Sequence, residues 1–362
     1  MDIKENVLLA QYTTFKIGGE ARYFCIVKDQ FDALSAYEFA KEKNLQTFVL
    51  GGGSNVLVSD RGFDGLVIKI ENSGVEVLSE NEDGVLLKAA SGERWDKVVE
   101  FAVNNQWWGI ENLSHIPGSS GAIAVQNVGA YGQEAGQVID AVTVFNKETH
   151  QIISLDAAEC GFAYRQSIFN TSQKGKYIIF YITLRLSKIS RPNLSYRDLK
   201  ERFEGKNPSI FEIRQAVTEI RDKKYPFPVQ AKNGNAGSFF KNVVLDGETY
   251  NCAKNIILKN FGGEAALSLE KKIFKGTDGS IKIPSAFLLD ICGLKNIQVG
   301  GARINENQPL VIVNASGQAT SKDVIGLVKR VRQEVFEKTG LKLAHEPELI
   351  GFSTEELKEI EG

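Results

Sequence analysis

The chain has 362 residues, 43% of them apolar, and a formal net charge of -2 with both signs mixed along its length; two or three cores are expected, and the charge balance argues against nucleic acid or a membrane surface as partner, leaving an anionic small molecule open. Four cysteines (Cys25, Cys160, Cys252, Cys292) lie far apart without a C-x-x-C, and three histidines (His115, His150, His345) lack zinc-ligand spacing, so reduced thiols and no metal are expected. The start, Met1-Asp2-Ile3-Lys4-Glu5-Asn6, has neither a basic n-region nor an apolar h-region, and no apolar run approaches ~18 residues, so a soluble cytoplasmic protein is expected.

The polar run Tyr12-Thr13-Thr14-Phe15-Lys16-Ile17-Gly18-Gly19 precedes a strand over residues 22–27. A helix follows, with Asp29 as N-cap and Phe31, Leu34 and Phe39 roughly on one face, and residues 47–50 read as an apolar strand, completing a β-α-β unit. Gly51-Gly52-Gly53-Ser54-Asn55 then lead straight into Val56-Leu57-Val58 and, after a turn at Arg61-Gly62, into a strand over 66–70. These glycines join strand to strand. A Rossmann fingerprint needs G-x-G-x-x-G opening a helix, so a cofactor phosphate at this turn would be held by backbone N–H groups without a helix dipole.

Strands over 75–78 and 84–90 flank a helix over 94–104 whose Trp95, Val98, Val99 and Ala102 face inward. This second α+β unit centres on residues 116–132, a run of small, nearly uncharged side chains with four glycines (Gly118, Gly121, Gly129, Gly132). Such a run lets backbone approach a ligand closely, or forms a buried tight connection. Strands return at 141–145 and 177–186, and the polar segment 187–207, with Arg191-Pro192 and Tyr196-Arg197-Asp198, is a linker or mobile-loop candidate. Ser209 and Glu212 form a capping box for a helix with Ile213, Ala216, Val217 and Ile220 on one face, ended by Pro226-Phe227-Pro228; a third unit is expected there. Its later part holds residues 284–291, a strand over 310–314, and a helix capped near Thr320 or Ser321 with the stripe Val324, Leu327, Val328, Val331, Val335 and Gly340 as C′ residue.

No Walker motif, H-E-x-x-H or G-x-S-x-G elbow supports a kinase or hydrolase reading. The remaining candidates are modest one by one. Gly234-Asn235-Ala236-Gly237-Ser238-Phe239-Phe240-Lys241-Asn242 places a serine among small residues near a cation, and alone Ser238 reads as a turn or cap. Tyr164-Arg165 offers a guanidinium beside a phenol. Arg221-Asp222-Lys223-Lys224-Tyr225 reads as solvated charge at a helix end, and Glu346-Pro347-Glu348 as surface carboxylates.

As an ordered set the motifs are more informative. T-F-K-I-G-G-x-A, L-G-G-G-S-N-V-L-V, E-N-L-x-x-I-P-G, Q-N-V-G-A-Y-G, Y-R-x-S-I-F, G-N-A-G-S-F-F-K-N and the C-terminal E-P-E occur in sequence over about the whole chain. Together they resemble the UDP-N-acetylenolpyruvoylglucosamine reductase family. The resemblance implies an α+β architecture: an FAD-binding domain of the vanillyl-alcohol-oxidase (PCMH) type in two subdomains (1–70 and 71–207, with polar loop 187–207), a substrate-binding domain (208–350) and a tail (351–362). It implies a cytoplasmic flavin oxidoreductase of peptidoglycan precursor synthesis, in which NADPH reduces FAD and the enolpyruvyl double bond of UDP-N-acetylglucosamine enolpyruvate is then saturated to UDP-N-acetylmuramate. Substrate and NADPH are small molecules; no nucleic acid or membrane partner is implied, and a monomer is consistent with this.

By position in the family motifs, Ser238 matches the serine that protonates the developing enol, and Arg165 and Glu348 the pair that stabilises or polarises it; carbanion character beside a carboxylate calls for a cation and a positioned acid. The resemblance assigns flavin contacts to Gly51, Gly52, Gly53, Ser54, Asn55, Pro117, Gly118, Ser119, Ser120, Gly121, Ala122, Gln126, Asn127 and Gly129. Substrate contacts fall on Tyr131, Tyr164, Tyr196, Arg221, Lys224, Asn242, Lys282 and Gln308, with Tyr196 marking the branch that has a loop tyrosine; the cations suit a diphosphate. The chain departs from the pattern in three places: Glu348-Leu349-Ile350-Gly351 is shorter and lacks an arginine, Phe274 stands where a tyrosine is common, and Ala122-Ile123 leaves only backbone donors. A competing reading is an FAD-dependent oxidase of a hydroxy acid or alcohol on the same flavin fold; a non-redox one is a nucleotide-sugar binding protein or transferase.

Overall fold

The structure is a computed structural model that describes residues 1–224, 233–276 and 278–361. The chain divides into two compact units: Met1–Val7, Ala21–Gly53 and Phe63–Gln230 form the first, and Leu8–Glu20, Ser54–Gly62 and Ala231–Gly362 the second. The first 70 residues are therefore shared between both.

In the first unit, strands Ile3–Leu8, Glu20–Val27, Phe63–Ile70 and Gln46–Leu50 lie side by side in that order, with Phe63–Ile70 parallel to both Glu20–Val27 and Gln46–Leu50. Parallel neighbours need a crossover, and helix Gln30–Glu42 supplies it, capped by Asp29, whose carboxylate accepts the Phe31 and Asp32 N–H groups. The helix face differs from the expected one. Phe31 is 70% exposed, and Ala33, Ala36 and Ala40 are the buried stripe. Small side chains let the helix lie close to the sheet, while Leu34 and Phe39 cover the edges of that contact.

The same unit holds an antiparallel sheet ordered Gln151–Asp156, Ile139–Asn146, Tyr177–Ser187, Gly84–Ala90, Val75–Glu80. Helix Trp95–Asn104 buries Trp95, Val98, Val99 and Ala102 against it, as the periodicity predicts. Helix Ile210–Lys224 begins at the expected Ser209–Glu212 capping box. However, it does not open a third unit: Ile210, Ile213, Ala216 and Val217 complete the core around Trp95 and Val98, and Arg214 grips Asp96 with two hydrogen bonds (2.9 and 3.1 Å). The expected terminator Pro226-Phe227-Pro228 lies outside the described residues.

The second unit contains the antiparallel sheet Asn235–Ser238, Val311–Asn314, Ala302–Ile304, Gln298–Val299 and the three-stranded sheet Val243–Leu245, Ile281–Ile283, Phe274–Lys275. Residues 284–291 form Pro284 plus helix Ser285–Ile291. Helix Ser321–Thr339 is capped by Thr320 in a capping box with Asp323, buries Val324, Leu327, Val328, Val331 and Val335, and is closed by Gly340 in the left-handed region (φ 73). The motif near the start is built into this unit. Thr14 Oγ1 donates to Asn235 O (2.6 Å) and Asn235 N–H to Thr14 O (3.0 Å), while Val56–Val58 pairs in parallel with Glu348–Ile350. The expected tail folds as helix Thr354–Glu361, with Glu356 ion-paired to Arg61.

Candidate functional site

The glycine segments of the first unit meet. Gly52 N–H donates to Ser119 Oγ (3.2 Å), and a Cβ on Gly52 would lie 2.6 Å from Gly118 Cα, so these two stretches approach this closely only because position 52 has no side chain. In helix Ser120–Val125 the first amides are already used: Ser120 N–H goes to Glu93 O, Gly121 N–H to Ser91 O and Ala122 N–H to Ser119 O. The backbone donor expected at Ala122 is thus spent inside the protein. The N–H groups of Gly118 (φ 120) and Ser119, by contrast, have no acceptor among the described residues. Two adjacent amides on a glycine platform fit a phosphate or a flavin carbonyl. Ser54 and Asn55, the other half of the first glycine turn, belong to the second unit, where Asn55 O accepts the Glu348 N–H (3.0 Å).

Beyond the short helix the backbone is strained where candidates stand. Asn127 (φ 44), Tyr131 (φ 48) and Arg165 (φ 55) all occupy the left-handed region, which non-glycine residues adopt only when their surroundings hold them there. Asn127 is held by Nδ2 donation to Glu134 Oε2 (3.2 Å) and Ala163 O (3.0 Å) and by the Gly136 N–H on its Oδ1 (2.7 Å). Arg165 Nη2 donates to Gly129 O (3.0 Å), and its guanidinium lies 5.2 Å from the Tyr164 ring centre. Gln126 ends the short helix.

The other substrate candidates of this unit form one cluster. The Tyr131 and Tyr196 rings meet edge to face at 5.0 Å, and Lys224 Nζ lies 5.8 and 6.0 Å from their centres. Burial would lower the Lys224 pKa, but its hydrogen bond to Asp198 together with the charge interactions of Tyr131, Tyr196 and Asp198 outweighs this, and the ammonium is held. Burial raises the Tyr131 phenol against the pull of Arg221 and Lys224, keeping it neutral. Arg221 is not the solvated surface charge that its sequence neighbourhood suggests: burial lowers its pKa, and its Nε donates to His115 O (2.8 Å). His115 (φ 60) is gripped further by Asp96, which accepts its N–H (2.6 Å), and by Asp222 at its ring (2.8 Å). Asp198, His115 and Asp222 escaped the sequence reading; the only local hint was charge adjacent to Tyr196 and Arg221.

In the second unit, Ser238 ends strand Asn235–Ser238 opposite Val311. Phe239 N–H donates to Leu310 O (2.7 Å), and Gln308 lies in the turn just before, its carbonyl accepting the Val311 N–H (2.9 Å). On the other side Phe240 bridges His345, and Phe239 O accepts the Glu346 N–H (2.9 Å). The chains run antiparallel at this bridge, which brings residues 239–240 beside 345–346; Glu348, two beyond Glu346, opens strand Glu348–Ile350, which pairs with Val56–Val58. Asn242 Oδ1 accepts the Ser285 N–H (3.1 Å), fixing it at the start of helix Ser285–Ile291. Lys282 stands in register with Phe274, the residue that replaces a tyrosine. Arg165 belongs to the first unit and Ser238 and Glu348 to the second. Among the described residues no His/Cys/Asp/Glu cluster could hold a metal ion, and no helix is long and apolar enough to cross a membrane.

Residues 21–155 match an FAD binding domain, and residues 228–350 match the UDP-N-acetylenolpyruvoylglucosamine reductase C-terminal domain. A UDP-N-acetylenolpyruvoylglucosamine reductase of Salmonella choleraesuis is 37% identical over 352 residues, covering 96% of each chain. One from Flavobacterium johnsoniae is 34% identical over 354 residues, covering 97% of this chain and 100% of that one. The crystal structure of UDP-N-acetylenolpyruvylglucosamine reductase (MurB) from Thermus caldophilus superposes with a TM-score of 0.65 at 26% identity, covering 97% of this chain and 99% of that one. With full-length relatives above a third identity and both domains matched, the chain belongs to the UDP-N-acetylenolpyruvoylglucosamine reductase family of FAD-dependent oxidoreductases.

Proposed function

We propose that the protein carries out, in the cytoplasm, the NADPH-dependent reduction of the enolpyruvyl double bond of UDP-N-acetylglucosamine enolpyruvate to UDP-N-acetylmuramate, a step of peptidoglycan precursor synthesis. The observation that carries this reading is the backbone pairing of Phe239 and Phe240, which follow Ser238, with His345 and Glu346, which precede Glu348, within a chain whose relatives share its whole length. When bound, FAD would supply the hydride chemistry between NADPH and the enolpyruvyl group. Gly118 and Ser119 present backbone donors to it, and Gly51, Gly52 and Gly53 let it approach the main chain.

The protein supplies the remaining chemistry. Saturating the double bond places negative charge beside the substrate carboxylate; Arg165 offsets that charge, and the Ser238 hydroxyl delivers the proton to the carbon that did not receive the hydride. Glu348, at the start of the strand paired with Val56–Val58, polarises the enol. Arg221, Lys224, Tyr131, Tyr196 and Tyr164 hold the nucleotide, the two cations facing its diphosphate, and Asn242, Lys282 and Gln308 are further contacts. Incubating the protein with NADPH and the enolpyruvyl nucleotide should give a product heavier by two hydrogens, with NADPH consumed mole for mole. NADPH oxidation without that product, or flavin reduction by an alcohol, would remove the reductase reading in favour of an oxidase.

A further inference from the structure

Asn112 is fully enclosed (0% exposed) in the short helical turn Glu111–Leu113. Its main chain is fixed first: the Asn112 N–H donates to Gln133 Oε1 (2.9 Å), Gln133 Nε2 donates to the buried Glu111 carboxylate (2.7 Å), and the other Glu111 oxygen accepts the Gly109 N–H (2.7 Å). Its side-chain Nδ2 then donates to carbonyls on two separate segments, Tyr131 O at 2.7 Å and Asn193 O at 2.8 Å. The Asn112 Oδ1 is buried without a hydrogen-bond partner. An orphaned acceptor is destabilising, and a leucine of the same branched shape would avoid it. The amide is therefore explained by what it donates rather than by the space it fills.

Asn193 completes the stitching from the other side. Its Nδ2 donates to Gly132 O (2.9 Å), and its Oδ1 accepts the Ser195 N–H (3.1 Å) and hydroxyl (2.6 Å). One stitched segment carries Tyr131 and the other leads through Ser195 to Tyr196, the two rings that meet edge to face. We propose that Asn112 is a positioning residue for substrate: it ties the Tyr196 segment to the Tyr131 turn so that both rings are in place before the nucleotide arrives. This rests on the reading of Tyr131 and Tyr196 as nucleotide contacts. Ordering a segment in advance removes that entropy from the binding step, so losing Asn112 raises KM and leaves kcat nearly unchanged.

A double-mutant cycle between Asn112→Asp, which keeps the shape but removes both donors, and Tyr196→Ala separates this role from general stability. Alone, Asn112→Asp should raise KM for the enolpyruvyl nucleotide roughly tenfold to a hundredfold, with faster hydrogen exchange at the Ser195 amide. In the Tyr196→Ala background it should raise KM no further. An equal rise in both backgrounds would overturn the proposal while leaving Tyr196 a nucleotide contact. No effect of Tyr196→Ala itself would overturn the underlying reading and the proposal together. Should Asn112→Asp fail to fold, Asn193→Ala, a partly exposed change that removes the returning stitch and the two Ser195 hydrogen bonds but keeps the Asn193 carbonyl for Asn112, takes its place with the same expected pattern at smaller amplitude.

Discussion

The two units place their candidate residues by different means. In the first, Asn127, Tyr131 and Arg165, and His115 beside the tyrosine cluster, sit in left-handed backbone, held by side chain to main chain hydrogen bonds that involve Asn112, Asn127, Asn170, Asp96 and Arg221. In the second, none of Ser238, Asn242, Lys282, Gln308 and Glu348 is in that region; strand pairing sets Ser238 against Val311, Lys282 between Val244 and Phe274, and Glu348 against Val56. A strained loop network gives fine placement that depends on every partner, whereas a ladder gives a robust frame on which one side chain can be exchanged cleanly. Mutation should therefore separate chemistry from architecture in the second unit and mix the two in the first.

The largest expected effect tests the clean side. Ser238→Ala should slow reoxidation of the reduced flavin by the enolpyruvyl nucleotide by about two to four orders of magnitude, while reduction by NADPH and thermal stability stay as in the parent. Equal slowing of both half-reactions in stopped-flow would mean the serine is structural.

Next comes a group outside either site. Lys147 is 7% exposed, its Nζ donates to Thr47 Oγ1 (3.1 Å), and burial lowers its pKa from 10.5 to about 8. Between those values the unfolded chain binds the proton and the folded one does not, so stability should rise with pH across that window; below it, the full penalty applies. Lys147→Met should therefore stabilise the protein at pH 7 by at most about 3 kcal/mol, less the lost hydrogen bond, and flatten the rise, as read by urea denaturation at pH 7 and pH 9.5. An unchanged slope would show that water reaches the amine.

On the strained side, Asn127→Ala removes three side-chain hydrogen bonds from a left-handed residue and should cost about 2 kcal/mol while also weakening flavin retention. Retention unchanged at lower stability would uncouple the loop from the cofactor. The smallest effect is expected from Thr320→Ala, which removes the cap of helix Ser321–Thr339: about 1 kcal/mol of stability, with both half-reactions intact.

The sequence disclosed what short-range rules govern. The Trp95 and Val324 stripes, the Ser209 capping box and the Gly340 terminus follow from spacing of a few residues, and each is where it was expected. Helix Gln30–Glu42 misled because its alanines, not its larger Phe31, face the sheet, a choice made by the closeness of the packing. Val56–Val58 pairs with a strand near the far end of the chain, and helix Ile210–Lys224 closes the first core; no local pattern encodes such distant partners. Of the site, the motif order located candidates such as Ser238 and Tyr131, but the residues that hold some of them, Asp198, His115 and Asn112, are ordinary letters until the fold brings their carbonyls and amides together.

The most direct measurement is anaerobic mixing of the NADPH-reduced protein with UDP-N-acetylglucosamine enolpyruvate. Rapid return of the oxidised flavin absorbance near ~450 nm, with UDP-N-acetylmuramate formed in equal amount, is the expected result for a flavin that relays hydride to substrate. A flavin that NADPH bleaches and that stays bleached in the presence of this nucleotide would contradict the account.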